Sequence, residues 1–418
     1  MNRYDRPIRV IAISAAFWAW CGLVSFPMIV ENVDLANLAH AFISTSTTVV
    51  ICQAVGLALF AATAAVCCFD RFQTIIARLN LVQIAILLII SLSFLLQLHD
   101  GELAALTGMM YTALILAMAL TLSALWALAP ADLERCLNVG SVILCLFGVT
   151  AIAILGWPEG RNIGNIQPNL FAAPLLVGFI LSQFHPGVLG FVIRISCFAM
   201  IALVSARFAI IGCMLALTLF HLTFNPLSPA KISVLLVAVI AAAILWPQIM
   251  SLLALDDSLR DFSSGFSGRD QYWSSALAAI AEHPLGIGFK RSIGDEAGHN
   301  GYLKTLLEFG IAGGGLIIAF IASTIALAGL DAIGLSQRTL RQRRFASARF
   351  GGLVALSFGA FFQPQLFSLG DAFAMSLLFL LFRPAVAAPS VTALPARRYL
   401  PAMPGRGTPL SRRPAGSR

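Results

Sequence analysis

Charged residues are scarce in this sequence. Only 11% of the 418 residues are charged, whereas a soluble domain carries about 25%. Lysine occurs only at Lys231, Lys290 and Lys304, so arginine supplies almost all of the positive charge. Together with a hydrophobic content of 59%, this scarcity excludes a water-soluble globule, and we expect an integral membrane protein.

The sequence also lacks the motifs of common cofactor and metal sites. It has no phosphate-binding or dinucleotide-binding glycine pattern and no cysteine and histidine residues at zinc-site spacing. We therefore expect no cofactor and no metal, and the net charge of +8 gives no reason to expect a nucleic-acid partner. The eight cysteines fall in apolar runs or on the side predicted to be cytoplasmic, so we expect no disulfides.

Long apolar runs dominate what is present. A window of about 19 residues finds twelve candidate membrane spans with few charges, which predicts an all-α polytopic fold of about twelve transmembrane helices. The first run lacks a small-residue cleavage signal before Glu31, so we expect it to stay as a span. The spans are residues 8–30, 47–69, 79–98, 104–129, 137–157, 168–184, 187–204, 207–224, 231–255, 310–330, 350–364 and 369–383.

Arginine placement predicts the orientation of these spans, because cytoplasmic loops are enriched in Lys and Arg. The loop after the tenth span and the tail after the twelfth hold half of the arginines: 338, 341, 343, 344 and 349, then 383, 397, 398, 406, 412, 413 and 418. Twelve crossings with both termini in the cytoplasm put both groups inside. Residues 1–383 then form one transmembrane domain, and residues 384–418 form a basic, Pro/Arg-rich cytoplasmic tail that we expect to be disordered.

This orientation leaves one long extracytoplasmic loop, residues 256–309, between the ninth and tenth spans. Within it, Ser267 and Asp270 fit a capping box, which predicts a surface helix over 268–282 that ends before Pro284. Trp273, Leu277 and Ile280 recur at helical spacing, which supports the same helix.

A second helix is predicted to begin after Asn300, which is a good N-cap residue. Tyr302, Leu306 and Phe309 are predicted to share one face of it. His299 would then lie just before a helix N-terminus, beside backbone N–H groups that favour phosphate.

These loop motifs carry a resemblance to a known family. Four short motifs, taken in their order, resemble the signature loop of the O-antigen ligase and polymerase family. They are Ser267-Gly268-Arg269 to Trp273, His283-Pro284-Leu285-Gly286-Ile287-Gly288, His299-Asn300-x-Tyr302-Leu303 and Glu308-x-Gly310-x-x-Gly313. Upstream, Gly164-Asn165-Ile166-Gln167-Pro168-Asn169 and Ser205-Ala206-Arg207 resemble two further span-entry motifs of that family.

The resemblance implies a metal-independent membrane glycosyltransferase on a fold like that of lipid-dependent glycosyltransferases. Such an enzyme moves a glycan from a polyprenyl diphosphate, undecaprenyl diphosphate in bacteria, to a glycan or lipid A core acceptor. The reaction serves O-antigen, lipopolysaccharide or exopolysaccharide biosynthesis on the extracytoplasmic face of the inner (plasma) membrane. A chain-length regulator, a flippase and membrane lipid are the partners that it implies.

Site residues follow from the resemblance and from this chemistry. Arginine binds phosphate oxygens through a planar fork, and histidine titrates near neutral pH. We therefore expect His299, Arg269 and Arg207 to be catalytic, with His299 as general base or acceptor orienter. The expected substrate-binding residues are Arg161, Asn165, Asn169, Arg291, Asn300 and Tyr302.

Structural roles are the alternative for the same residues. In water, Arg269 could stack on Trp273, and Arg207 could reach to the membrane interface. His299 could serve as a helix-cap residue. None of these roles needs a substrate. Lys304 and Glu308 fit an exposed i, i+4 pair. Arg194, within the seventh span, lies near its cytoplasmic end and is expected to reach the interface.

Two classes of function remain open at this point. A transporter or flippase of lipid-linked oligosaccharide is the alternative to a glycosyltransferase, but it typically has ionisable groups near the membrane midplane, whereas the polar residues here gather on one outer face. Within the transferase class, a polymerase and a ligase are both open, and the lack of any ligase-specific feature favours polymerase.

Overall fold

The computed structural model describes most of the chain from Pro130 onward and shorter parts before it. All described residues lie within one compact unit, Met1–Pro384. The tail that follows this unit is not among the described residues. Continuous stretches are 11–21, 130–158, 161–164, 166–224, 269–288, 300–334, 339–363 and 370–383; isolated positions are 51, 55, 56, 58–60, 62, 63, 118, 122, 123, 125, 126, 233, 237, 240, 241, 243–245, 247, 248 and 366.

The described residues form α-helices, and no strand is found among them beyond one isolated bridge between Ile163 and Ile166. In chain order, the helices are α1 Ile11–Cys21, α2 Pro130–Leu155, α3 Pro168–Ser182, α4 Val188–Leu203, α5 Arg207–Phe224, α6 Arg269–Glu282, α7 Gly301–Ile333, α8 Leu340–Gly359 and α9 Ala372–Leu381.

Three of these helices, α2, α5 and α7, are long and apolar enough to cross a membrane, while α1, α3, α4 and α9 are shorter apolar helices. The predicted spans at 168–184, 187–204 and 207–224 correspond closely to α3, α4 and α5. An all-helical fold is therefore confirmed for the described part. The total of twelve spans stays a prediction, because most residues of the second, third, fourth and ninth spans lie outside the described residues.

The centre of the bundle is made by α3 and α9. Nearly every residue of α3 and every residue of α9 is buried, as expected for helices that are apolar on all sides. By contrast, α4 exposes large apolar side chains such as Val188, Phe191 and Ile195, which suits contact with lipid. The long helix α2 also exposes apolar residues, including Leu146 and Ile154.

Glycines allow α8 to approach its neighbours closely. A Cβ at Gly351 would lie 2.7 Å from the carbonyl oxygen of Ala216 on α5, and one at Gly352 would lie 2.7 Å from Ile180 on α3. Small residues at such positions let helix backbones come together and gain dispersion energy. This packing anchors α8, whose far end contributes to the candidate site.

The loops of the bundle gather at two ends. At one, which we call the basic end, the starts of α2 and α8 meet the α3–α4 turn and the end of α5. Arg341 pairs with Glu134 of α2 at 2.6 Å. Arg344 donates to the carbonyl of His185, and Arg343 donates to that of Phe224. At the other, which we call the site end, Arg161 after α2 donates to the carbonyl of Ser205 before α5.

Helix α7 reverses direction at Gly310. Gly310 has φ 75° and ψ 172°, and a Cβ at Gly314 would lie 2.8 Å from Cα of Leu306. Residues eight apart in a straight helix are about 12 Å apart, so the arm 301–309 folds back on the arm 311–333. The tenth span, predicted at 310–330, corresponds to the second arm, while the first arm returns into the bundle toward α8.

The last two predicted spans differ from the structure in length. Helix α8 begins at Leu340, where Thr339 and Gln342 form a capping box, and it ends at Gly359 rather than near 364. Helix α9 has 10 residues, which is about 15 Å, half of a typical hydrocarbon core. Arg349 joins the two helices near the basic end by donating to the carbonyls of Leu380 and Arg383.

Candidate functional site

At the site end, the turn between α4 and α5 contacts Arg161 and leads directly into Arg207. Ser205 lies in the left-handed region with φ 50°, a conformation that costs a serine about 1 to 3 kcal/mol. Its carbonyl accepts from Nη2 of Arg161, and Arg207 begins α5 two residues later. Nε of Arg161 is buried and has no hydrogen-bond partner in the described part of the chain, so it has a donor left for a ligand.

Anion binding suits this turn for a second reason. The first N–H groups of a helix have no partner within the helix and carry the positive end of its dipole. An arginine in the first turn gains nothing from that dipole, so helix stability does not explain Arg207. Two guanidinium groups and the start of α5 together favour a phosphate group.

The asparagine motif lies beside this turn, between α2 and α3. Ile163 and Ile166 exchange two backbone hydrogen bonds of 3.2 and 3.0 Å, with Gly164 at φ 56° between them. Helix α3 then starts at Pro168 with Gln167 as its N-cap, which places Asn169 in the first turn, partly exposed. The predicted helix start at 168 is therefore confirmed, while Asn165 itself lies outside the described residues.

Asn300 starts α7, as predicted. Its Oδ1 accepts from the N–H groups of Tyr302 at 3.0 Å and Leu303 at 3.1 Å, and the residue is 4% exposed. Gly301 donates from its N–H to the carbonyl of Ala360 at 2.8 Å. A Cβ at Gly301 would lie 2.9 Å from the carbonyl oxygen of Gln363, so glycine permits this close approach of two backbones.

Tyr302 fixes the same arm to α8. Its hydroxyl donates to the carbonyl of Ser357 at 2.8 Å, and its ring lies 4.6 Å from that of Phe361. These contacts hold the start of α7 against the end of α8. The hydroxyl of Tyr302 is thus engaged within the protein.

Contacts at Gly359 connect the arginine turn to the start of α7. A Cβ at Gly359 would lie 3.8 Å from the ring of Phe208, and Phe208 directly follows Arg207. The neighbouring Ala360 accepts from Gly301, which directly follows Asn300. Motifs that are far apart in the sequence therefore meet at the site end through α8, which the sequence analysis did not include in the site.

The His283–Gly288 turn docks onto the reversal in α7. Ile287 donates to the carbonyl of Leu307 at 2.8 Å, and Ile311 donates to that of Pro284 at 2.9 Å. A Cβ at Gly310 would lie 2.5 Å from the carbonyl carbon of Leu285. The two halves of the loop motif are therefore in direct backbone contact.

Helix α6 runs from Arg269 to Glu282, so the predicted surface helix is confirmed to within one residue. Of the residues at helical spacing, Ile280 is buried, whereas Leu277 is 55% exposed. The buried residues of α6 are Ala276, Ala279 and Ile280, which pack with Ile287 and with α7 residues Leu303, Leu306 and Leu307. The predicted single face of Tyr302, Leu306 and Phe309 also divides, because Leu306 faces α6 while Tyr302 and Phe309 join the main core.

Lys304 and Glu308 form the expected i, i+4 pair, but the pair is not exposed. Nζ and Oε1 are 3.9 Å apart, and the two side chains are only 12% and 8% exposed. Burial raises the desolvation cost of each charge, so removing one partner leaves the other at a large disadvantage. Breaking the pair should therefore cost more than breaking a surface pair would.

Some predicted site residues cannot be placed. His299 and Arg291 lie outside the described residues, and only the backbone of Arg269 is described, at the first position of α6. Ser267, the first residue of the predicted capping box, also lies outside the described residues.

Two buried polar residues between α8 and α9 were missed by the sequence analysis. Gln363 is 3% exposed, and its Nε2 has no hydrogen-bond partner among the described residues. Asp371 is 3% exposed and accepts from the N–H of Ala374 at 3.0 Å as the N-cap of α9. The only sequence signal for them is Gln363-Pro364-Gln365, which separates the last two apolar runs.

Comparison with known proteins agrees with the motifs. Residues 189–318 match the family model described as O-antigen ligase. This segment includes Ser205 to Arg207, α6, the His283–Gly288 turn and the start and reversal of α7. Together with the apolar helices, the match indicates a membrane protein. No curated protein matches the chain. Residues 189–318 are therefore similar to the O-antigen ligase family.

Proposed function

We propose that this protein is a glycosyltransferase that moves a glycan from a polyprenyl diphosphate to an acceptor hydroxyl on the extracytoplasmic face of the bacterial inner membrane. The observation that carries the proposal is the meeting of the family motifs at the site end. There, Arg161, Arg207 and the start of α5 lie next to the end of α8, and α8 holds Asn300 at the start of α7.

The proposed orientation follows from the distribution of arginine over the two ends. The basic end holds Arg135, Arg194, Arg341, Arg343, Arg344, Arg349 and Arg383. Because cytoplasmic segments are enriched in Arg, we assign the basic end and both termini to the cytoplasm and the site end to the outer face. A reporter fused after Gly294 should therefore report the extracytoplasmic side; a cytoplasmic signal there would contradict the orientation and the mechanism.

Arginine serves the leaving group in this mechanism. As the bond to the sugar breaks, negative charge develops on the diphosphate, and donors aimed at that charge stabilise the transition state most. We assign Arg207 and Arg269 to this task and Arg161 and Arg291 to binding the donor. The buried Nε of Arg161, which has no partner in the described part of the chain, supports its assignment.

His299 is assigned to the acceptor. In one step, the acceptor oxygen attacks the anomeric carbon, the carbon–oxygen bond to the diphosphate breaks, and polyprenyl diphosphate leaves with the electron pair. His299 takes the proton of the acceptor hydroxyl, a role that a group titrating near neutral pH performs well. Attack opposite the leaving group inverts the anomeric centre.

The remaining assigned residues divide by their contacts. Asn165 and Asn169 are assigned to sugar or phosphate contact at the entry to α3. Asn300 and Tyr302 act on the substrate mainly by fixing the start of α7, since Oδ1 of Asn300 caps the helix and the hydroxyl of Tyr302 bonds to α8. They hold the chain directly behind His299 in place. No metal or cofactor takes part in the proposed step.

Replacement of His299 and Arg269 by alanine tests the proposal in cells. Both variants should abolish full-length surface glycan at normal expression, while His283→Ala and Arg135→Ala should keep it, because His283 is exposed and the side chain of Arg135 is 62% exposed at the basic end. Full-length glycan from His299→Ala or Arg269→Ala would overturn the catalytic assignment.

Within this class we favour polymerisation of lipid-linked repeat units over ligation. A deletion strain distinguishes the two through its lipid-linked intermediates. Accumulated single repeat units indicate a polymerase, and long unattached chains indicate a ligase acting on lipid A core. Intermediates retained on the inner leaflet would instead indicate a flippase and would contradict a transferase.

A further inference from the structure

At the basic end, away from the site end, one arginine contacts the α3–α4 turn and another contacts the first turn of α4. Nη1 of Arg344 donates to the carbonyl of His185 at 3.1 Å, and Nε of Arg194 donates to that of Gly190 at 3.1 Å. A Cβ at Gly190 would lie 2.8 Å from the carbonyl oxygen of His185, so the two acceptors are neighbours. The charges of Arg194 and Arg344 are close enough to act on each other.

Aromatic rings hold one of these guanidinium groups in place. The guanidinium carbon of Arg344 lies 5.2 Å from the ring centroid of Phe224 and 6.0 Å from that of Phe220, and these two rings stack on each other. Beside it, Arg343 donates to the carbonyl of Phe224, while its buried Nε has no partner among the described residues. The arginines are therefore fixed in position rather than extended into water.

No acid in the described part of the chain neutralises Arg194 or Arg344. The acids at this end are engaged elsewhere: Glu134 pairs with Arg341, Asp132 lies 4.0 Å from Arg135, and Asp331 acts on Arg349. Like charges held together without a counter-charge repel each other, so the pair favours an external anion.

The surroundings of Arg194 indicate where that anion comes from. Its neighbours on α4 expose large apolar side chains, with Val188 77% exposed, Phe191 57% exposed and Ile195 53% exposed. A charged group on such a face meets lipid on one side and the polar membrane surface on the other. A soluble anion would leave this apolar face uncovered, whereas a lipid supplies a phosphate and acyl chains together.

We propose that Arg194 and Arg344 form a binding site for the phosphate headgroup of an anionic phospholipid in the leaflet at the basic end. The headgroup phosphate lies between the two guanidinium groups at the α3–α4 turn, and the acyl chains lie along Val188, Phe191 and Ile195 of α4. The bound lipid joins α4 to α8 across the end of α5. This site does not depend on the proposed glycosyltransferase chemistry, and on the proposed orientation its leaflet is the cytoplasmic one.

Native mass spectrometry of the full-length protein tests this site. The protein is presented with equal amounts of phosphatidylglycerol and phosphatidylcholine, and retained lipid is counted for wild type, Arg194→Gln, Arg344→Gln and the control Arg135→Gln. Wild type and the control should retain phosphatidylglycerol preferentially. Each of the other variants should retain about fivefold less of it, as expected for the loss of one arginine at a membrane surface. Equal retention by all four proteins would overturn the proposal.

Two further measurements on the wild type do not depend on any variant folding. Retention of phosphatidylglycerol should fall as salt is raised, because ions screen the contact; retention that is independent of salt contradicts the site. Inorganic phosphate should raise the melting temperature far less than phosphatidylglycerol does. An equal rise would show that the site takes a soluble phosphate and would refute the assignment to lipid.

Discussion

Replacing Gly310 by alanine should disrupt the reversal in α7 that joins the two halves of the loop motif. At φ 75° and ψ 172°, Gly310 occupies a region that is essentially restricted to glycine. The added Cβ would also lie 2.5 Å from the carbonyl carbon of Leu285, 2.6 Å from its oxygen and 2.8 Å from the oxygen of Pro284. All three atoms belong to the backbone, so no side-chain rotation relieves the overlap.

The size of the effect follows from these contacts. Backbone strain in this region costs about 2 kcal/mol. Moving the His283–Gly288 turn away would break the 2.9 Å hydrogen bond from Ile311 to Pro284, which contributes about 1 kcal/mol. Together, Gly310→Ala should lower the free energy of unfolding by about 3 kcal/mol, and it should move the turn away from α7.

Gly315→Ala provides a matched control five residues further along α7. A Cβ there meets nothing within 4 Å, and alanine favours a helix by about 1 kcal/mol over glycine. Thermal unfolding of the purified proteins should therefore show a lower melting temperature for Gly310→Ala and an equal or higher one for Gly315→Ala. If Gly310→Ala unfolds at the wild-type temperature and makes normal amounts of glycan, the reversal is not as described.

Three other substitutions give similarly direct tests. Asn300→Asp should keep the helix cap and the wild-type melting temperature, whereas Asn300→Ala should lose about 1 kcal/mol of stability and reduce glycan synthesis; equal stability of the two variants would contradict the capping role. In a double-mutant cycle, Lys304→Met and Glu308→Gln should each lower the melting temperature, and the double variant should lose less than the sum of the two single losses; strict additivity would show that the pair is not coupled. Gly351→Ala should lower the melting temperature, because its Cβ would lie 2.7 Å from the carbonyl oxygen of Ala216; an unchanged value would mean that α5 and α8 separate without cost.

Several helix positions were predictable because polar residues interrupt the apolar runs. The interruption at Ser205 and the cap at Asn300 correctly predicted the starts of α5 and α7. Hydropathy failed at α8, because Arg341 to Arg349 look like a loop on a transfer scale. The helix nevertheless begins at Leu340, since Thr339 caps it and the arginines find carbonyl, aromatic and carboxylate partners at the basic end.

Other features had no signal in local sequence patterns. The reversal at Gly310 depends on contact with Leu285, and a glycine in an apolar run does not indicate such a contact by itself. The helical spacing of Trp273, Leu277 and Ile280 does not indicate which side of α6 is buried; Ala276, Ala279 and Ile280 pack against the leucines of α7, while Leu277 is exposed. Gln363 joins the site only because α8 ends beside Gly301, a long-range contact that periodicity does not predict.

The measurement that tests the central claim most directly is turnover of lipid-linked glycan by the purified full-length protein. Release of polyprenyl diphosphate is followed in vesicles that contain a polyprenyl-diphosphate-linked repeat unit, for wild type, His299→Ala and His283→Ala. The proposal predicts that wild type and His283→Ala release polyprenyl diphosphate at similar rates, and that His299→Ala is slower by about 100-fold or more, as expected for loss of a general base. Release by His299→Ala at the wild-type rate, or no release by the wild type, would contradict it.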